Sequence, residues 1–483
     1  MHRLLIGALL AAAGVFVTPA AAWAHAELLS SQPGYGDRLP AAPAEMRLEF
    51  SGAMDLTGAR LTLREKGGQV RSLSPPALAS PDRRVVAIAL PAHLADGDWS
   101  LDWFFLGNDG HLMGGEVAFA VGAPAPAAGR SVPGPAAQAK PAAAVRSLGP
   151  GVAGPVLARA AAPPPAAKRP RFTIAVATPQ AVVRLLDYAS LAILVGGGLF
   201  LALVWTDGAG ERRAQRLLWA ALLASLAATG LTVGLTAAGL RGVGVAEALS
   251  PSVMGTVGGT RFAHIITVRA AFLGLGVLVL GMLTLGRDRA VRSRWWQAMA
   301  AVAAGGVLVT HALLGHASSE GLLARVAVIV HLVGVSVWLG GLVFLVAVVL
   351  PRGRPEEVRT LLPRFSSLAF AAVTAMVVAG AVLVTRVVPK LGALPQTGYG
   401  RILLLKLGFV VLLLAAAQQA RTFTERRLFK DSARLRPLLT AVGVELALAV
   451  MILTSTAVLV GRVPPSTRTK PTVRPSAAAL EGR

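Results

Sequence analysis

The sequence predicts a small all-β sandwich followed by an all-α polytopic membrane bundle of about eight transmembrane helices. Three observations lead there. Hydrophobic residues make up 54% of the 483, only 15% are charged, and mean hydropathy is +0.63, which excludes an ordinary soluble enzyme. Residues 25–122 alternate apolar and polar positions in short runs. From about residue 173 onward, apolar stretches long enough to cross a bilayer recur.

Residues 1–24 read as a signal peptide: Arg3, an apolar run from Leu4 to Val17, and the small-residue cleavage site Ala22-Trp23-Ala24. The mature chain is then expected to begin at His25. In residues 25–122 the period-two segments are Met46 to Phe50, Ala59 to Leu63, Val85 to Leu90, Asp98 to Phe105 and Glu116 to Val121. Turn residues such as Pro33-Gly34, Asp96-Gly97 and Asn108-Asp109-Gly110 separate them, which predicts an antiparallel sandwich or barrel. Residues 123–172 are rich in Ala and Pro and are expected to be an extended linker that leaves the β-domain's orientation unfixed.

The membrane region, 173–465, holds eight apolar stretches, at about 178–205, 215–240, 262–285, 296–317, 322–350, 366–388, 399–420 and 438–461. Arginines cluster after the first (Arg212, Arg213, Arg216), third (Arg287, Arg289, Arg292, Arg294), fifth (Arg352, Arg354, Arg359, Arg364) and seventh (Arg426, Arg427, Arg434, Arg436). The alternate loops carry few cations. The positive-inside rule then places the β-domain and both termini outside a bacterial inner membrane, in agreement with the signal peptide. Residues 466–483 are expected to be a disordered tail. The formal net charge of +23 is thereby a topology signal, and no nucleic-acid partner is expected. The chain has no cysteine, so disulfides and thiolate metal sites are excluded.

A free N-terminal His25 would offer its α-amine and imidazole nitrogen together, a chelate suited to Cu(II), and Asp109-Gly110-His111 adds a carboxylate and a second imidazole. His25-Ala26-Glu27-Leu28 leads to Ser31-Gln32-Pro33-Gly34-Tyr35-Gly36, and Asp109-Gly110-His111 leads to Gly115 and Phe119-Ala120-Val121. These segments resemble the CopC family of periplasmic copper-binding proteins. The resemblance implies an Ig-like sandwich with Cu(II) held by His25, Asp109 and His111. Some members of that family carry a Met-rich loop for Cu(I). Here Met46, Met54 and Met113 are scattered, so a Cu(II)-only domain is expected. His93, in Pro91-Ala92-His93-Leu94, is expected to be an ordinary surface residue.

His331-Leu332 running to Trp338-Leu339-Gly340-Gly341, Tyr399-Gly400-Arg401 running to Leu405-Lys406, and Pro464-Pro465 resemble the CopD family of copper transport proteins. The whole chain thus looks like a CopC–CopD fusion. His264, His311, His316 and His331 all fall in the outer half of the expected membrane region, with His331 about 15 Å and His311 about 10 Å below the outer helix ends. Ionisable groups at such depth face a bundle interior or an aqueous path. His331 and Trp338, seven residues apart, are expected on one helix face. Asp187 is expected to pair with Arg184 along its own helix, Lys406 to be paired structurally, Glu445 to be an exit ligand or proton acceptor, and Met376 and Met451 to lie in the core.

The expected function is capture of Cu(II) outside and passage of copper, as Cu(I) or Cu(II), through a His-lined bundle. Import, in the service of copper homeostasis or resistance, is the favoured direction. No ATP-binding motif is present and no enzymatic activity is expected. Copper ion and the lipid bilayer are the expected partners, with a periplasmic copper donor or a reductant as further candidates. Two alternatives stand beside this reading. One is a b-type haem oxidoreductase with His264, His311 and His331 as axial ligands. The other is a sequestering or sensing module without transport.

Overall fold

A computed structural model describes residues 28–122 and 171–461, apart from 51, 67, 69, 108, 109, 111, 316–320, 353, 388–391, 393 and 424–434. The expected signal peptide and C-terminal tail lie outside the described residues, as does the expected linker up to residue 170; its last two residues, 171 and 172, already belong to the first helix.

The first region is a β-sandwich. One sheet has the order β1 (Leu28–Gln32), β3 (Glu45–Phe50), β7 (Val85–Ala89), β6 (Ala77–Leu78). The other runs β2 (Arg38–Leu39), β9 (Leu112–Val121), β8 (Gly97–Gly107), β4 (Met54–Glu65), β5 (Val70–Ser72). All pairings are antiparallel except β2 with β9. Alternation does what it predicts: Met46, Leu48 and Phe50 on β3 meet Leu101, Trp103 and Phe105 of β8 in one core. Met54 and Met113 belong to that core with Met46, so all three thioethers face hydrocarbon. His93 is exposed outside any strand, as expected of a surface residue.

Among the described residues, eight helices follow that are long and apolar enough to cross a membrane. We label them α1 (Arg171–Leu203), α2 (Arg212–Arg241), α3 (Arg261–Arg292), α4 (Arg294–Leu313), α5 (Leu322–Arg352), α6 (Pro355–Val387), α7 (Gly398–Phe423) and α8 (Leu435–Leu459). Leu223, Leu278, Phe370 and Val411 lie exposed on their outer faces, as lipid contact requires. Ion pairs of Arg292 with Asp207 and of Arg352 with Glu211 join the cation-bearing loops at one end of the bundle.

Helix α5 is central: 72% of its most apolar window is buried, against 22% for α6 and 17% for α7. It is regular to Val335 and then widens into π turns at Ser336–Gly340 and Leu345–Val349. The first π turn lies against α1, where Gly340 abuts the Ala192 carbonyl and Gly196 abuts that of Ser336. Small residues let the two backbones meet this closely. A Gly340→Ala substitution has no room for its methyl and should cost about 1–3 kcal/mol. Thermal unfolding in detergent checks this, and an unchanged midpoint would mean that the α1–α5 contact is not tight.

The π turns also change an expected geometry. His331 and Trp338 are not separated by two regular turns. His331 donates to a carbonyl of α6, and Trp338 is buried in the central core to which α1 and α6 both contribute.

Candidate functional site

The β-domain is seated on the bundle rather than hung from it, which corrects the expectation of an unfixed orientation. A register shift in β4 between Asp55 and Arg60 pushes the intervening residues out of the ladder. Its two flanking charges then meet two helix ends. Asp55 Oδ2 accepts from the Arg261 backbone N–H at 3.1 Å, so a β-domain carboxylate caps the N-terminus of α3. Arg60 donates to the Arg241 carbonyl at 3.2 Å, the last residue of α2. Each charge has the sign the helix dipole favours at that end. Arg60 also lies 4.3 Å over the Phe104 ring, and burial pushes its pKa below the usual arginine value against the pull of Asp102.

Beside these polar ties is an apolar seal. Leu106 of β8 is fully buried in a cluster with Leu235, Ala238 and Leu240 of α2 and Phe262 and Ile266 of α3, with Leu112 and Leu314 packed against it. The β8–β9 hairpin therefore points at the bundle between α3 and α4. Gly110 is its turn residue, at φ +84°, and a Cβ there would fall 2.9 Å from Phe262 and 3.0 Å from Leu314. Gly110 stands between Asp109 and His111 in the chain. Asp109, His111 and His25 themselves lie outside the described residues.

Beneath the seat, α4 ends at Leu313, four residues before the expected boundary at 317, so His311 occupies its last turn. It lies three residues, about 4.5 Å of helical rise, below Leu314. His316 lies outside the described residues. His264 is in the first turn of α3 and is exposed rather than turned into the bundle interior. His331 is half-buried between α5 and α6. Among the described residues no group of three or more His, Asp or Glu side chains stands close enough to hold a metal. The described membrane histidines thus do not gather into one such group.

They share one arrangement. His264 Nδ1 faces the Thr260 carbonyl at 2.8 Å, His311 Nδ1 the Val307 carbonyl at 2.9 Å, and His331 Nδ1 the Met376 carbonyl at 3.0 Å. A carbonyl only accepts, so each Nδ1 carries a hydrogen and donates it. Each ring is left with Nε2 as its outward nitrogen, the arrangement in which a backbone carbonyl orients a metal-ligating imidazole.

His311 Nε2 faces Asp187 Oδ2 at 2.9 Å. The same oxygen lies 3.4 Å from Arg269 of α3, whose Nε donates to Thr310 at 3.2 Å. Asp187 is thus paired, but to α3 and α4 rather than along its own helix to Arg184. All three side chains of the cluster are buried. Arg269 escapes a reading centred on histidine, although a lone arginine in the run Ile265 to Leu273 is its own signal. Glu445 is buried on α8, and Lys406 is half-buried on α7. Met376 is buried on α6, as expected of a core residue.

Comparison with known proteins follows the same division. The CopC domain family matches residues 28–122, the N-terminal domain of copper resistance protein D-like proteins matches 175–326, and copper resistance protein D matches 359–459. The copper transport protein CutJ of Bacillus subtilis is 23% identical over 447 residues, which is 90% of this chain and 75% of its own length. The protein YobA of Escherichia coli is 31% identical over 107 residues, 22% of this chain and 84% of its own. Among solved structures, PcoC, a methionine-rich copper resistance protein from Escherichia coli, is 29% identical and covers 20% of this chain and 99% of its own, with a TM-score of 0.18. The order of the three matches along a single multi-pass chain is that of a fusion: this protein belongs to the CopC–CopD family of copper resistance and transport proteins.

Proposed function

We propose that this protein takes up Cu(II) outside a bacterial inner membrane and passes copper inward through its helix bundle, as a carrier without catalysis. His25, Asp109 and His111 form the capture site once the signal peptide is removed. His264, His311, His316, His331 and Glu445 mark the way through. The β-domain and both termini are extracytoplasmic in this reading, and Cu(II) suits the N and O donors of the capture site.

One observation carries the proposal. Gly110, which stands between Asp109 and His111 in the chain, is seated on Phe262 and Leu314, and Leu314 is three residues from His311. Handover therefore needs no diffusion through bulk solvent. The name of the relative CutJ, a copper transport protein, is consistent with movement rather than storage. The Nε2-outward imidazoles supply donors below the mouth.

The test is cell-associated copper under limitation, comparing wild type, His111→Ala and His331→Ala at equal expression. Import predicts that both variants accumulate less. Normal accumulation in His331→Ala would leave sequestration at the outer domain as the function, and a rise in both would mean export.

A further inference from the structure

We propose that Asp187, with His311, forms a copper site of its own inside the membrane, the first station below the docked hairpin. The inference deepens the transport reading and rests on it for its purpose, but the site itself is tested by binding alone.

Four observations converge on this pair. Asp187 Oδ1 is buried and has no hydrogen-bond partner among the described residues, although its sister oxygen meets both His311 and Arg269. Leaving a carboxylate oxygen dry and unmatched is costly, and such an atom persists where something else completes it. The Asp187 side chain is 9% exposed and that of His311 6%, so the unpartnered oxygen lies within the protein and not at its lipid surface. His311 Nδ1 is committed to the Val307 carbonyl, which fixes Nε2 as the ligand nitrogen and holds the ring in place.

Spacing is the fourth. Nε2 and Oδ2 are 2.9 Å apart. Two donors at that separation, each about 2.1 Å from a metal, subtend about 90° there, the angle of neighbouring corners in a tetragonal N/O site. Copper entering here displaces the hydrogen now between Nε2 and the carboxylate, which leaves as a proton. Nε2 and one carboxylate oxygen become its protein donors, and water fills the remaining positions. Arg269, whose Nη1 lies 3.4 Å from the same Oδ2, keeps the site from holding the cation too firmly. Two protein donors and a nearby positive charge make a loose site, which suits a station that must also release.

The experiment uses the full chain in lipid nanodiscs with Cu(II) as the only added ligand, and counts bound copper by paramagnetic resonance. Replacing His25, Asp109 and His111 together with alanine removes the outer site. The variant should still bind one copper whose spectrum shows nitrogen coupling. Adding His311→Gln, which leaves the Asp187–Arg269 pair intact, should abolish that signal, and adding Asp187→Asn should weaken binding at least tenfold. Asp187→Glu should restore part of it. The proposal is overturned if the triple outer-site variant binds no copper, or if its copper survives His311→Gln in a protein of unchanged helicity. Failure of the transport reading would show instead as wild-type accumulation in His331→Ala cells, with this binding intact.

Discussion

Replacing Arg269 with leucine should destabilise the bundle by about 3–5 kcal/mol, the largest effect expected of a single change among the membrane helices. The guanidinium is buried and faces Asp187 across two helices. Its removal leaves the carboxylate with His311 as its one remaining partner and an uncompensated charge in hydrocarbon. Thr310→Val supplies the comparison, because it removes only a neutral partner of the same guanidinium. Interhelical hydrogen bonds of that kind average about 0.6 kcal/mol in membranes. Unfolding in detergent should therefore separate the two variants by about 2 kcal/mol or more. Equal midpoints would mean that charge compensation contributes nothing here.

Leu106→Asp should unseat the β-domain. The leucine is fully buried among α2 and α3 side chains, and an unpaired carboxylate in its place would cost about 3–5 kcal/mol if the seat stayed closed. Opening is the cheaper response. Amides at the start of α3, among them Arg261 with its bond to Asp55, should then lose hydrogen-exchange protection. Copper accumulation should fall to the level of His111→Ala while the outer domain still binds Cu(II). Full protection of those amides together with normal accumulation would show that the seat is not what joins capture to passage.

The architecture was legible because its two periods are plain. Strands β3, β7, β8 and β9 alternate over five or more residues, and the eight helices announce themselves by length. Two-residue strands such as β2 and β6 are too short to develop alternation and went unread. The apolar pattern of α4 continues to residue 317, four residues past the observed helix end at Leu313. The stop signal was Gly315, which takes φ +93° two residues past the helix end. Within the site, each membrane histidine could be singled out as a polar group at depth, but its partner could not. Asp187 meets Arg269 and His311 over 82 and 124 residues of sequence, a pairing that only the packing of α1, α3 and α4 creates. The seat was equally hidden. Asp55 and Arg60 match no motif, and their roles exist only once β4 shifts register beside two helix ends.

That seat bears on how the protein can be studied in pieces. YobA shows that a domain of the first kind can make up most of a protein. Here a cut between residues 122 and 171 would give two fragments, each with a wound. The β-fragment would show water its Leu106 and Leu112, and the helical fragment would lose the carboxylate that finishes α3 and the cover over Leu240, Val257 and Phe262. Detergent would fill the second wound and self-association the first, so affinities measured on either fragment would describe the repair and not the protein. Half a molecule is the wrong control for the whole one.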